Sequence, residues 1–285
     1  MNKKKLLTVF SVICLLFFLT GCSSNFELIT LDTTFEQMKN AEGNGIFDLI
    51  LTWPLAQAIN QLTEVFGSVF WSIVVVTVVI NALLLAATYK SNLAMQKMQT
   101  IQPEVTKIQK KYEGRTDQQS QMRMSQELQA LYKKYDINPI GSLLTTFLQF
   151  PVLIAMYSAV RRSQAVAEGM FLGHTLALTP QEAFANKAWP LIAIYVFMII
   201  AQIVSVSLPQ LLNSIRLKKE ADLHHKHYEK PQQPNVAMTY GMVVFIAFIM
   251  LNWPCALSLY YVITSCVQII KTLILNKITE SQIKN

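Results

Sequence analysis

The sequence predicts an all-α membrane protein: five transmembrane helices around a polar groove open to the cytoplasm, plus a cytoplasmic helical hairpin. Three observations carry this expectation. Hydrophobic residues make up 52% of the 285-residue chain and charged residues only 14%, where a soluble domain carries about 25% charged. The apolar residues fall into long runs separated by polar stretches, the pattern of membrane-spanning helices. The positive charge gathers in alternate loops between those runs, as spanning segments require.

The chain opens with Lys3, Lys4 and Lys5, then an apolar core over 6–19 that is too short for an ordinary span and has the length of a signal peptide core. Leu19-Thr20-Gly21-Cys22 follows and looks like a lipobox. Residues 1–21 therefore read as a lipoprotein signal peptide and Cys22 as the lipidation site, with the mature N-terminus anchored on the outer face of the cytoplasmic membrane. The other cysteines, Cys14, Cys255 and Cys266, form no CxxC or Cys/His spacing, so neither a disulfide framework nor a metal site is implied. No cofactor is expected.

Residues 22–67 form a polar, acidic extracytoplasmic segment. Five spans are expected after it, at 68–88, 140–160, 188–207, 236–251 and 255–275. Each is near the roughly 20 residues that cross the hydrocarbon; the fourth is the shortest. Asn252-Trp253-Pro254 turns the chain between the last two. Between the spans lie a cytoplasmic hairpin at 89–139, an extracytoplasmic loop at 161–187, a cytoplasmic loop at 208–235 and a cytoplasmic tail at 276–285. Five crossings from an outside Cys22 put the C-terminus inside. Charge tests this independently: seventeen Lys and Arg fall on the inner side and four, Lys39, Arg161, Arg162 and Lys187, on the outer side of the mature chain. The net charge of +7 is thus mainly a topology signal that also holds the inner loops near anionic lipid. It requires no specific nucleic acid.

In the cytoplasmic segment Met95, Met98, Ile101, Val105, Ile108 and Tyr112 recur at spacings of three and four, one face of an amphipathic helix. Pro103 falls within it and predicts a kink or a division. Glu113-Gly114-Arg115 reads as a turn, and Met122, Leu128, Leu131, Tyr132 and Tyr135 mark a second helix antiparallel to the first. Met95, Met98, Met122 and Met124 have two readings: structural residues of a solvated hairpin, or an adaptable apolar surface for varied clients.

Polar side chains inside spans are costly and face a bundle interior or a water-filled cavity. Here they form stripes at helical spacing: Thr77 and Asn81 in the first span; Ser142, Thr145, Thr146 and Gln149 in the second; Gln202 and Ser205 in the third; Thr239 and Tyr240 in the fourth; Tyr261, Thr264, Ser265 and Gln268 in the fifth. All five stripes fall in the cytoplasmic half. The outer halves are apolar and aromatic, with Phe66, Phe70 and Trp71, then 153–157 and 191–196. The pattern suggests a wet groove closed towards the outside, with ordinary interhelical hydrogen bonding as the plainer alternative. It speaks against a pore or small transporter, which needs polar lining at full depth or intramembrane acids, and no Asp or Glu lies inside a predicted span. His224, His225, His227 and Asp222 stand in a charged inner loop with Lys226 and Glu229 and read as solvated residues. No nucleophile, general base or ligand set recurs at membrane depth, so an enzyme is not expected.

The order of parts resembles the YidC insertases of Gram-positive bacteria. Local motifs agree: Gln102-Pro103-Glu104 with 108–112 in the hairpin, 131–135 and Asn138-Pro139-Ile140-Gly141 at the entry to the second span, Gln149-Phe150-Pro151-Val152 with Met156-Tyr157 in its body, and Leu259-Tyr260-Tyr261-Val262 in the last span. The resemblance covers nearly the whole mature chain. It implies an insertase and chaperone that integrates nascent membrane proteins, lipoproteins among them, into the cytoplasmic membrane. Such a protein works alone or with the Sec translocon, and its partners are client chains, membrane lipids, the ribosome and the translocon. It also implies that Asn81, Thr77, Gln149, Gln202, Tyr261, Thr264, Ser265 and Gln268 line the client-binding groove. Relatives carry an arginine in the inner part of the first span. Aligned on 76–80, that position here is Asn81, which keeps donors and an acceptor but no charge. Lys271 stands where a glutamine is expected. The departure predicts a specialised paralogue with a narrower client set and a weaker preference for acidic client tails.

Overall fold

The computed structural model describes residues 27–223 and 236–284. Cys22, the signal peptide 1–21 and His224, His225 and His227 lie outside the described residues. The described chain is almost entirely helical. Three helices are long and apolar enough to cross a membrane: Val69–Gln99, Trp189–Lys219 and Cys255–Ile278, with Thr239–Met250 a shorter apolar helix.

The N-terminal part is more structured than a polar segment suggests. Helix α1 (Phe35–Asn40) starts at a reciprocal cap between Thr34 and Gln37. A π-helical turn, Asp48–Thr52, runs into α2 (Trp53–Phe66). α2 buries Ala56, Ile59, Gln57 and Asn60 on one side. It ends where Gly67 takes φ 62°, a left-handed turn suited to glycine. α3 (Val69–Thr100) follows at once. Its valine and isoleucine content would disfavour a helix in water, but an apolar medium leaves the backbone no partner other than itself.

α3 ends at Ile101, and α4 (Gln102–Lys111) begins with Pro103 in its first turn. There the missing N–H costs nothing. The single amphipathic face expected from Met95 to Tyr112 is therefore divided between two helices. α5 (Gln118–Lys134) is capped by Asp117, whose carboxylate accepts from the Ser120 amide at 2.8 Å. Ile101, Val105, Leu131 and Ile137 form the hairpin core, with Met98, Ile108, Leu128 and Tyr132 packed against it. Tyr135 donates to Glu104 at 2.6 Å, and Lys111 and Tyr112 both donate to Glu127.

α6 (Pro139–Arg162) carries Pro151 inside and leads to α7 (Gln164–Glu168). A two-stranded hairpin, β1 (Met170–Phe171) and β2 (His174–Thr175), turns at Leu172 and Gly173, both with positive φ. That geometry matches the right-handed twist of the strands. α8 (Pro180–Ala185) precedes α9 (Trp189–Leu223), α10 (Val236–Met250) and α11 (Cys255–Lys284). α9 packs most extensively on α11, and α11 on α3; α2 and α6 cover α3 from the other side. The main core gathers Ile73, Met156, Leu191, Met198, Leu257 and Tyr260.

One end of the bundle is tied by the chain around Ile29. Its amide donates to the Arg162 carbonyl at 2.6 Å, and its carbonyl accepts from the Gln164 amide at 3.1 Å. Asn60 Nδ2 donates to the same Ile29 carbonyl at 2.6 Å, while Asn60 Oδ1 accepts from Ser163 Oγ and the Ala165 amide. Arg162 is buried, with Asn44 Oδ1 at 2.9 Å and Asp48 Oδ1 at 3.6 Å. Burial pulls its guanidinium below the usual arginine range, and the Asp48 carboxylate opposes that pull.

Candidate functional site

The three helices long and apolar enough to cross a membrane, α3, α9 and α11, bring polar groups together. On α3, Thr77, Asn81, Leu84, Thr88 and Asn92 repeat at intervals of four and three, so they share one face. On α11, Thr264, Gln268 and Lys271 do the same. The two faces meet: Asn81 Nδ2 donates to the Thr77 carbonyl at 2.8 Å and to Thr264 Oγ1 at 3.2 Å. One position on, Ser265 Oγ donates to Gln202 Oε1 of α9 at 2.8 Å. Asn81, Thr264, Ser265 and Gln202 thus form a link of α3 to α11 to α9. The hydroxyl of Thr77, fully buried, has no hydrogen-bond partner among the described residues, and neither has that of Ser258 further along α11.

Towards the hairpin the stripe continues as a ladder. Thr88 Oγ1 donates to the Leu84 carbonyl at 2.6 Å, and Asn92 Nδ2 donates to Thr88 Oγ1 at 3.0 Å. Lys271 Nζ donates to Asn92 Oδ1 at 3.3 Å. Thr88 and Asn92 are both buried. The sequence reading ended the first span at residue 88 and so passed over this part; the signal was the continuing four-residue spacing from Asn81 and Thr88. Beyond it, Gln96 and Gln99 of α3, Asn213 and Arg216 of α9, and Thr272 and Asn276 of α11 line a narrow cleft.

The remaining expected residues stand as follows. Tyr261 is buried edge-on against Tyr260, and Gln268 is half-buried beside Thr264. Gln149 is exposed on α6, apart from the Asn81 link. Met98 packs on the hairpin core, Met95 and Met124 are half-buried, and Met122 is exposed. The polar contacts give way to apolar and aromatic packing at the opposite end, where Tyr157 stacks on Trp253 and Phe70 on Phe171. This arrangement can hold and solvate a polar segment.

A family model described as 60Kd inner membrane protein matches residues 61–282. The chain belongs to the YidC family. It is 27% identical over 275 residues to the membrane protein insertase MisCA of Bacillus subtilis, covering 96% of this chain and 92% of that relative. It is 29% identical to the membrane protein insertase YidC 2 of Bacillus anthracis, covering 92% of this chain and 89% of the relative. It is 30% identical to the membrane protein insertase YidC of Alkalihalophilus pseudofirmus, covering 94% and 93%. The YidC match takes in α3, both hairpin helices and every helix after them.

Proposed function

We propose that this chain inserts nascent membrane proteins into the cytoplasmic membrane through a groove formed by α3, α9 and α11. The observation that carries the reading is the polar link of Asn81, Thr264, Ser265 and Gln202 at membrane depth, in a chain of this family. Hydrated polar groups lower the barrier for a client's short polar segment. The client's apolar helix then leaves sideways into lipid, and burial of its surface drives the transfer at about 25 cal/mol per Å². No covalent step is needed.

On this reading α6 and α10 complete a set of five spans, Cys22 carries lipid on the outer face, and the hairpin and C-terminus are cytoplasmic. The segregation of basic residues supports that orientation. Met122 and its neighbours offer a client contact on the hairpin, and the ribosome, the Sec translocon and lipoprotein clients belong to the same reading. A specialised paralogue is favoured over a general insertase by one observation: Asn81 is neutral and engaged with Thr264. The test is complementation of an insertase-depleted strain, scored by protease accessibility of a small single-span client. Restored insertion is expected; a client left in the cytoplasm at normal expression would sink the reading.

A further inference from the structure

The two-residue turn between β1 and β2 is poorly suited to water. Leu172 has φ 48° and Gly173 φ 83°. A turn with both central residues left-handed favours Asn-Gly or Asp-Gly. A leucine in the first of these places is strained, because its Cβ crowds the following carbonyl. Its side chain meets little protein in return: Leu172 is 71% exposed, and Met170, two residues back, is 68% exposed. In water the turn would combine backbone strain with bare apolar surface. An apolar surrounding removes the second of these costs.

The strands are pinned where two of the three long apolar helices begin. Phe171 stacks on Phe70 with ring centroids 4.6 Å apart, and Phe70 is the second residue of α3. Gly169 lies against Val69, the first. The Cys255 amide donates to the Leu178 carbonyl at 2.8 Å and the Ala256 amide to the Leu176 carbonyl at 3.0 Å; these amides open α11. Leu172 is one residue beyond Phe171, a step of about 3.8 Å, so it stands close to the level of the first turn of α3.

The surroundings have the chemistry of a membrane boundary. From Gly169 to Leu178 there is no Asp, Glu, Lys or Arg. Trp71 stands edge-on to Phe70 and is exposed, and an exposed Trp189 opens α9. Tryptophan collects where a membrane meets water. Seven and eight residues on from Trp71, Val78 and Val79 are exposed on the same side of α3. Through the Phe171, Phe70 and Trp71 rings, the apolar surface of the turn therefore joins the exposed apolar side of a helix long enough to cross a bilayer.

We propose that Met170 and Leu172 form a lipid-binding tip, seated at the boundary between headgroups and acyl chains beside the start of α3. The occupant is the bilayer, because the tip continues the exposed apolar side of α3 and a two-residue turn offers no groove to hold a peptide. At that depth the polar backbone of the turn still reaches water and headgroups, while the two side chains enter the acyl region. The pinned strands then transmit the depth of the tip to the first residues of α3 and α11. The proposal holds whether or not the chain inserts clients.

The experiment puts a nitroxide on the tip of the full-length chain in vesicles of phosphatidylcholine with phosphatidylglycerol. Leu172→Cys and Met170→Cys are each labelled in a Cys266→Ser parent, whose own signal is subtracted. Collision rates with oxygen, which concentrates among acyl chains, and with a water-soluble nickel chelate give the depth. Val79→Cys is the acyl reference, and Glu113→Cys, exposed in the turn between α4 and α5, is the water reference. Both tip labels are expected about 5–10 Å inside the headgroup boundary, with an oxygen-to-nickel ratio several-fold above that at Glu113. Either site decides the matter if the other variant fails to fold. Tip labels at the Glu113 value overturn the proposal. Labels that neither reagent reaches also overturn it, because protein would then cover the tip. A ratio that changes with the number of chains per vesicle overturns it in favour of a second copy.

Discussion

Asn60→Ala tests how the end of the bundle around Ile29 is held. Asn60 is 3% exposed and joins three chain segments that are distant in sequence. Its amide group donates to the Ile29 carbonyl at 2.6 Å, and its oxygen accepts from Ser163 Oγ at 2.6 Å and the Ala165 amide at 3.1 Å. After truncation the Ile29 carbonyl keeps the Gln164 amide as a donor, so its loss is partial. The Ala165 N–H and the Ser163 hydroxyl proton lose their acceptor in a buried site. Two orphaned donors at about 1–3 kcal/mol each, less relaxation, give about 3 kcal/mol. That is roughly a hundredfold in the local opening equilibrium. Hydrogen exchange reads it directly, because the Ile29 and Gln164 amides are themselves the bonds that close this end. Both should exchange about a hundredfold faster, while the Ser120 amide, capped by Asp117 in the hairpin, should not change. Unaltered exchange at Ile29 and Gln164, or equal acceleration in the hairpin, would refute the reasoning.

Three further outcomes are expected. Asn81→Arg should raise insertion of a single-span client with an acidic tail relative to a twin with a neutral tail, because it adds a cation to the polar face of α3; an unchanged ratio counts against a role for that level of the helix. Gly169→Ala should cost about 1–3 kcal/mol, because an added Cβ would press into the Ala165 carbonyl and sit 3.2 Å from Val69; thermal unfolding in detergent measures it. The hairpin should loosen in acid. Lys111 and Tyr112 hold the Glu127 carboxyl below its ordinary value of 4.5, so its contribution is present above that pH and is lost as pH falls through the depressed value. Exchange of α4 and α5 amides should accelerate there in the wild type, and Glu127→Gln should flatten the dependence.

Three of the five expected spans, 68–88, 188–207 and 255–275, were legible because apolar length is a local property of the chain. Pro103 announced the break between α3 and α4 for the same reason. The polar faces of α3 and α11 were legible from spacing, and Asn81, Thr264, Ser265 and Gln202 do meet. That Asn81 would bond Thr264 while Gln149 stayed apart depends on how the helices rotate against each other, which no single helix encodes. The same holds for the N-terminal region. Gln57 donates to the Thr30 and Thr33 carbonyls, and Asn60 to Ile29. In sequence they are two amides in an amphipathic stretch, and only the folded chain shows them fastening the segment around Ile29 and Thr33, some thirty residues away.

α3 runs unbroken for 32 residues, about 48 Å of helix. The hydrocarbon layer accounts for about 30 Å of that. The rest is a stalk, and the first joint in it is Ile101, next to Pro103. Asn81 and Asn92 are both on the rigid side of that joint. Ile101 is itself buried in the hairpin core, with Met98 of α3 packed against it, so the joint is clamped by side chains from both sides. Mechanically, the hairpin is a handle on a jointed shaft, and the shaft carries the polar face that meets α11.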